Sequence, residues 1–234
     1  MGGDDRDIRE SEYATGLSGS TIFVIPSAAM ELDPNAIGSS AAYKLLIGCV
    51  VPRPIAWVST VDGAGVRNLA PFSFFMGVCG DPPTIAFSGG PREGERKDTV
   101  RNAEASGEFV VNVVDDEHAE AMNASSGEYA PNVDEFAVAR LVAAPGVRVK
   151  APRVATAPIS LECRVSQIVR VGRGPHSVVF GEIVYMHIRD ALYDATTGRI
   201  DVGALRPVGR LAGHMYSRTH ELFEMKRPNP NYQG

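Results

Sequence analysis

Cysteine is scarce in this chain. Only Cys49, Cys79 and Cys163 occur in 234 residues, far apart and without a CxxC or CxH pattern. That excludes a disulfide framework and a zinc site of the usual spacing, and suits reduced cysteines packed as small hydrophobes. The five histidines form no HExxH pair, so no metal site is expected. No apolar run approaches the ~18 residues of a membrane span. The opening MGGDDRDIRESEYATG is acidic, which argues against the following TIFVIP as a secretory signal; a cytoplasmic protein is expected. Positive charge is in deficit, 23 Lys+Arg against 28 Asp+Glu for a net charge of −5. Nucleic acid and anionic membranes both require basic surfaces and are therefore excluded as main partners. GxGxxG, GxxxxGK[ST] and regular alternation of strands with helices are also missing. A Rossmann or P-loop fold is excluded with them.

What remains is ordinary globular composition, 44% hydrophobic and 22% charged. Residues 1–28 are polar and dotted with Gly and Ser, and read as a partly disordered extension. Within them TIFVIP is a candidate edge strand or contact to another subunit. Residues 29–234 read as one domain. From residue 43 the pattern becomes strand-like: YKLLIGCVV before the PRP turn, then IAWVSTVD, the turn DGAG, and a return segment VRNLAPFSFF broken by Pro71. TIAFS (84–88) and FVVNVV (109–114) follow as strands. Between them KDTVRNAEASG reads as a helix, with Asp98 as N-cap and Gly107 past its end. DDEHAEAMNASSG and DEFAVARL (134–141) read as two more short helices. In LECRVS, Leu161, Cys163 and Val165 face one way and Glu162, Arg164 and Ser166 the other. A GRGP turn joins this strand to SVVFGEIVYMHI (177–188). Many strands with few helices predict a mainly β protein, an antiparallel barrel with helical insertions.

Two segments carry candidate chemistry. In AFSGGPREGERKDTVRN (86–102) a helix start offers unpaired N–H groups and positive dipole, flanked by Arg96 and Lys97, with Thr99 as a hydroxyl donor. Ser88 closes the preceding strand and Arg92 lies in the loop. An anion such as phosphate suits this place; a solvated basic loop before a capped helix is the plainer alternative. In RPIAWVSTVDGAGVRNLAPFSFF (53–75) Trp57, Pro71 and Phe74 offer apolar walls, while Thr60, Asn68 and Ser73 offer polar edges. A planar ligand with hydrogen-bonding edges, such as an isoalloxazine, fits that mixture. Trp57, Phe72 and Phe75 taken singly read as core.

These two segments, with MELDPNAIGSSAAYKLLIGCVVPRP ahead of them and GEFVVNVV behind, resemble the flavin reductase-like domain family from about residue 40 to about residue 218. The resemblance implies an FMN-binding split β-barrel, antiparallel and Greek-key-like. It implies that Arg53, Ser59, Thr60, Asn68, Ala70 and Ser73 approach the flavin ring and ribityl chain, beside the wall that Phe74 offers, and that Ser88, Arg96, Lys97, Asp98 and Thr99 lie at the phosphate end. Which of Arg92 and Arg96 meets the phosphate stays open. A third segment, GRLAGHMYSR (209–218), resembles the family's late R..G..Y pattern and puts Arg210, Gly213 and Tyr216 near the cofactor mouth, with Ala212 where a second glycine is usual. His214 and Tyr216 are the candidates for shaping the face where a nucleotide or acceptor stacks. The implied activity is NAD(P)H-dependent flavin reduction by a homodimer. The alternatives are an FMN-binding electron-transfer module, or the reductase component of a two-component monooxygenase with a partner oxygenase. No Ser-His-Asp or Cys-His arrangement competes with this, and hydride transfer needs no general base of its own.

Overall fold

The computed structural model describes residues 30–228 except residue 93. The extension expected over residues 1–28, TIFVIP included, lies outside the described residues. The chain divides into two compact units, Met1–Tyr43 and Lys44–Gly234. Of the first, residues 30–43 comprise a turn at 34–36 and the start of helix α1, Ser39–Cys49.

Helix α1 corrects the expected strand at YKLLIGCVV. Ala41, Ala42, Lys44, Leu45 and Leu46 are strong helix formers, and the β-branched pair Val50 and Val51 comes only after the helix has ended. Gly38, at φ +79, sets the entry, and the Ala42 N–H donates to the Gly38 carbonyl at 3.0 Å.

The second unit is built on seven antiparallel strands: β1 Ala56–Val61, β2 Arg67–Phe72, β3 Phe75–Gly80, β4 Pro83–Gly89, β5 Glu108–Val113, β6 Ile159–Val171 and β7 His176–Ile188. Their order is β2-β1-β5-β6-β7-β4-β3. The β1–β2 hairpin turns where the sequence asks for it. The Asp62 carboxylate accepts from the N–H groups of Ala64 and Val66 (2.9 and 2.8 Å), and Gly65 supplies φ +86. Pro71 does not stop its strand. β2 sits at the sheet edge, where a missing N–H breaks no ladder, so the strand continues to Phe72 with Pro71 opposite Trp57. β3 was not legible in FMGVCG, whose residues 76–80 are exposed rather than alternating.

Strand alternation sorts the core into two faces. On one, Ala56, Val58, Phe72, Phe87, Phe109, Val111, Cys163 and Val179 pack together with Val100 and Ala103 of helix α2, Asp98–Ser106. On the other, Ile55, Trp57, Leu69 and Val114 pack against Met122 of α3 (Ala119–Ala124) and Phe136 of α4 (Glu135–Val138). Glu162 departs from the simple alternation of LECRVS. It is fully buried at a register shift in β6 and accepts from the N–H groups of Val147, Arg148 and Val149 and from His187.

Helix α2 approaches β4 so closely that Gly89 has no room for a side chain. A Cβ there would meet Val100 Cγ2 at 2.6 Å and the Phe72 ring at 3.4 Å. Gly89→Ala is expected to cost about 1–3 kcal/mol of stability, since overpacking a filled core forces displaced neighbours. Val100→Ala in the same chain should relieve part of that cost. Urea unfolding of both single variants and the double variant checks this, and strictly additive losses would show that the helix is not seated on Gly89.

Candidate functional site

The start of α2 is uncapped. Lys97 stands at the N-cap position, and its side chain makes no cap hydrogen bond to the first turn. Asp98, expected as the cap, is instead the first helical residue, and its carboxylate pairs with Arg101 three residues on. The reason is local: a cap needs extended backbone one residue earlier, and that place is taken by Lys97 at φ −59, ψ 149. The helix therefore presents N–H groups and positive dipole with a lysine beside them.

This helix start shares a cavity of about 140 Å³ with the edge of the sheet. Asn68, Ala70 and Pro71 of β2 line it from one side, and Lys97, Asp98 and Thr99 from the other. The two sequence segments thus meet in one space. The join is a buried hydrogen-bond node on Asn68. Its Oδ1 accepts from Thr99 Oγ1 at 2.6 Å and Thr60 Oγ1 at 3.4 Å, and its Nδ2 donates to Glu135 Oε1 at 3.0 Å. Asn102 Nδ2 donates to Thr60 Oγ1 at 3.1 Å and closes the network onto the same helix. Thr60 and Thr99 are essentially inaccessible, so their hydroxyls hold α2 against β1 and β2 rather than facing the cavity as free donors. Lys97 Nζ lies 5.4 Å from the centre of the Phe72 ring.

Arg53 organises a second region. It is 5% exposed, and its guanidinium donates to the carbonyls of Ile47 and Val50 (2.7 Å each), to the Leu211 carbonyl (3.0 Å) and to Ser73 Oγ (3.3 Å). One side chain so satisfies the carbonyl end of α1, orients Ser73 and anchors the third segment. That segment is a hairpin, β8 Val208–Arg210 against β9 Tyr216–Arg218. Arg53 also pairs with Arg210 through both backbone hydrogen bonds. The Arg210 guanidinium lies 4.4 Å from the Tyr216 ring centre and donates to the Gly213 carbonyl at the left-handed turn, φ +58. His214 is exposed at that turn. Phe74 is 37% exposed, with Arg53 5.8 Å from its ring centre.

Three expected residues, Ser59, Ser88 and Arg96, belong neither to the cavity lining nor to the Asn68 and Arg53 networks. Ser59 points to the opposite face of β1, buried between Pro152, Val110 and Asn112. Ser88 is seated in β4, opposite Val178, and its N–H donates to the Phe74 carbonyl at 2.8 Å. Arg96 forms an ion pair with Glu104 on α2 at 2.6 Å. The Arg92 side chain lies outside the described residues.

The cavity also has walls that sequence reasoning passed over: residues 125–128 (Ser-Ser-Gly-Glu) and Glu135. The first reads in sequence only as a helix end; its signal was a run of small polar residues directly after α3. Glu135 lies in the segment read only as a short helix; it is buried and accepts from Asn68 and from the Leu69 N–H (3.1 Å). Burial pushes its carboxyl above the ordinary 4.5, and the hydrogen bonds from Leu69 and Asn68 only partly counter it. Among the described residues no group of three His, Cys, Asp or Glu is placed to hold a metal, and no helix is long and apolar enough to cross a membrane.

Residues 47–203 match the flavin reductase like domain family. BH2278, an uncharacterized protein of Halalkalibacterium halodurans, is 42% identical over 204 residues, which cover 85% of this chain and 97% of that protein. Among solved structures, nitrilotriacetate monooxygenase component B from Bacillus cereus is 36% identical with a TM-score of 0.82, over 85% of this chain and 100% of its own. The 2-nitrobenzoate 2-nitroreductase NbaA of Pseudomonas fluorescens is 32% identical with a TM-score of 0.78, over 85% of this chain and 96% of its own.

The raised Glu135 pKa has a signed consequence. The folded state favours the protonated acid, so its contribution to stability is full below pH 4.5 and is lost as pH rises through the raised folded value. Glu135→Gln, neutral throughout, should lack that decline. From about pH 4 to about pH 7 the melting temperature of Glu135→Gln should rise relative to that of the parent protein. A difference independent of pH would show that Glu135 titrates normally.

Proposed function

The chain belongs to the flavin reductase-like domain family and has its split-barrel fold, and from that premise we propose that it is an FMN-binding oxidoreductase supplied with electrons by NADH or NADPH. The observation that carries the proposal is the single cavity shared by Asn68 and Ala70 with Lys97, Asp98 and Thr99. When bound, FMN would supply the hydride- and electron-accepting chemistry that no side-chain constellation among the described residues provides.

The residues present suit that group. Lys97 and the uncapped amides of α2 would hold the phosphate, with Arg101 neutralising Asp98 so that its carboxylate does not repel the anion. The cavity is smaller than the roughly 300–1,000 Å³ of complete small-molecule sites, so it accommodates a phosphate and the adjoining chain. The planar part would then extend over the surface beside Pro71, Ser73 and Phe74. Thr60, Asn68 and Thr99 act as positioning residues that set the distance between helix and strand. Arg53 holds Ser73 and, through Arg210, the hairpin carrying His214 and Tyr216, our candidates for the face against which a nucleotide or acceptor stacks. Ser59, Ser88 and Arg96 would act from behind this surface.

A homodimer belongs to the same reading. Val78 and Met76 of β3 and Leu45 and Leu46 of α1 are exposed, as are Val50 and Val51 after it, and a second copy would cover apolar surface of that kind and deepen the shallow half of the site. Similarity to a monooxygenase component supports a more particular role, delivery of electrons to a separate oxygenase, with a flavin-bearing electron carrier as the form without its own nucleotide turnover.

Purified protein is expected to be yellow or to take up added FMN with micromolar or better affinity, read from the flavin absorbance. Mixing the complex with NADH or NADPH should bleach that absorbance rapidly; bleaching only with a protein donor would favour the carrier. Lys97→Ala should weaken FMN binding about 10-fold or more, the equivalent of roughly 1.4 kcal/mol for one charge-assisted contact. A colourless protein indifferent to FMN would overturn the proposal, and unchanged affinity in the variant would remove the phosphate assignment.

A further inference from the structure

A larger cleft, of about 950 Å³, opens on the other side of α3 and shares no lining residue with the α2 cavity. His118, just before α3, faces the cleft, and Ser125, just after it, faces the cavity. Trp57 stands between them, donating to Ser125 Oγ at 2.8 Å with its ring 6.2 Å from that of His118.

Three guanidiniums line this cleft: Arg140, Arg153 and Arg189. Arg153 is held from both sides along the backbone. The preceding Pro152 carbonyl accepts from Ser59 Oγ, and the following Val154 N–H donates to Asn112 Oδ1 at 2.9 Å. Yet its Nε is buried with no hydrogen-bond partner among the described residues. A buried cationic donor left without a partner is costly, and a guanidinium edge is the geometry from which an oxyanion accepts in bidentate fashion. Arg140 adds a second, independent sign. It sits at φ +56 just past α4, a conformation glycine adopts without strain and an arginine does not. Backbone strain kept with a cation at a cleft wall has a use if the cation is needed there.

The acids nearby are largely engaged. Asp115 accepts from His118 Nδ1 at 2.5 Å and lies 3.7 Å from Arg189, and Glu162 is bound by His187 and three backbone amides. Burial alone would raise both carboxyls, but those partners bring each below its ordinary value, so both stay anionic and matched. Among the described residues Glu117 is the one acid lining the cleft itself. Apolar surface from Leu141, Ala157 and Met186 and the half-exposed Tyr185 ring completes the wall. At this volume the cleft suits an organic molecule rather than a bare ion.

We propose that the cleft is a second ligand site, which binds a small organic oxyanion, a carboxylate or phosphate on an apolar or planar body, through Arg153 and Arg140. The proposal does not depend on flavin binding. Two probes test it by calorimetric titration at low ionic strength: inorganic pyrophosphate for a phosphate head, and benzoate for an aryl carboxylate. At least one should bind with a dissociation constant on the order of 1 mM or better. Arg153→Met and Arg140→Gly should each weaken that binding about 10-fold or more. Arg140→Gly should do so while keeping or raising the melting temperature, because glycine removes the strain; this separates lost recognition from lost folding. Lys97→Ala, at the other cavity, should leave benzoate affinity unchanged; pyrophosphate, which suits the α2 phosphate site as well, is judged by the arginine variants alone. Absence of binding by both probes would overturn the proposal. So would affinity unchanged from the parent protein in either arginine variant, or loss of benzoate binding in Lys97→Ala, which would place that anion at α2.

Discussion

Asn68 is the place where the fold and the candidate site become one problem. A primary amide has both acceptor and donor capacity, and here both are used in a space closed to water. The oxygen receives Thr99 and Thr60, and the nitrogen reaches Glu135. Three elements distant in sequence, β2, α2 and α4, therefore share one side chain. Replacing it by an apolar residue would leave two hydroxyls and a carboxylate without their partner in a place where each such group costs about 1–3 kcal/mol. The cavity beside it exists because this node holds the helix start at a set distance from the sheet edge, and Gly89 sets how near α2 comes to β4.

Arg53 plays the corresponding part on the far side of the site. Its donors reach carbonyls of two chain segments, the end of α1 and the turn after β8, and its guanidinium carbon lies 5.8 Å from the Phe74 ring centre. A charged side chain at 5% exposure is tolerated because almost every N–H is matched. The candidate surface is thus made of ordinary apolar and backbone groups, held by two polar clasps behind it. Such an arrangement suits a cofactor that carries its own reactivity and needs orientation from the protein.

Much of this was readable in order of residues. The β1–β2 hairpin, the α2 helix with its left-handed Gly107 end and the long β6–β7 hairpin follow from short-range rules that leave clear marks: DGAG, a polar-to-apolar helix face, and alternation. The errors fell where short-range rules conflict. YKLLIGCVV has the apolar density of a strand but a helix-forming first half. Pro71 breaks an interior strand but not an edge one. Asp98 is a good cap by composition, but it lies one residue too late.

By itself the sequence determined the chemical inventory: a lysine at a helix start, an amide and hydroxyls in an apolar strand, no nucleophile or metal constellation, and a family resemblance long enough to imply the fold. Those are properties of composition and local spacing. Only the tertiary structure decided which of these groups share a space. It turned Ser59 away, tied Thr99 to Asn68, buried Glu135 and brought residues 125–128 to the same cavity, because facing and burial depend on contacts between segments dozens of residues apart. The same reason hid the arginine cleft, whose three cations lie on separate segments and form no motif that a reader of the chain could find.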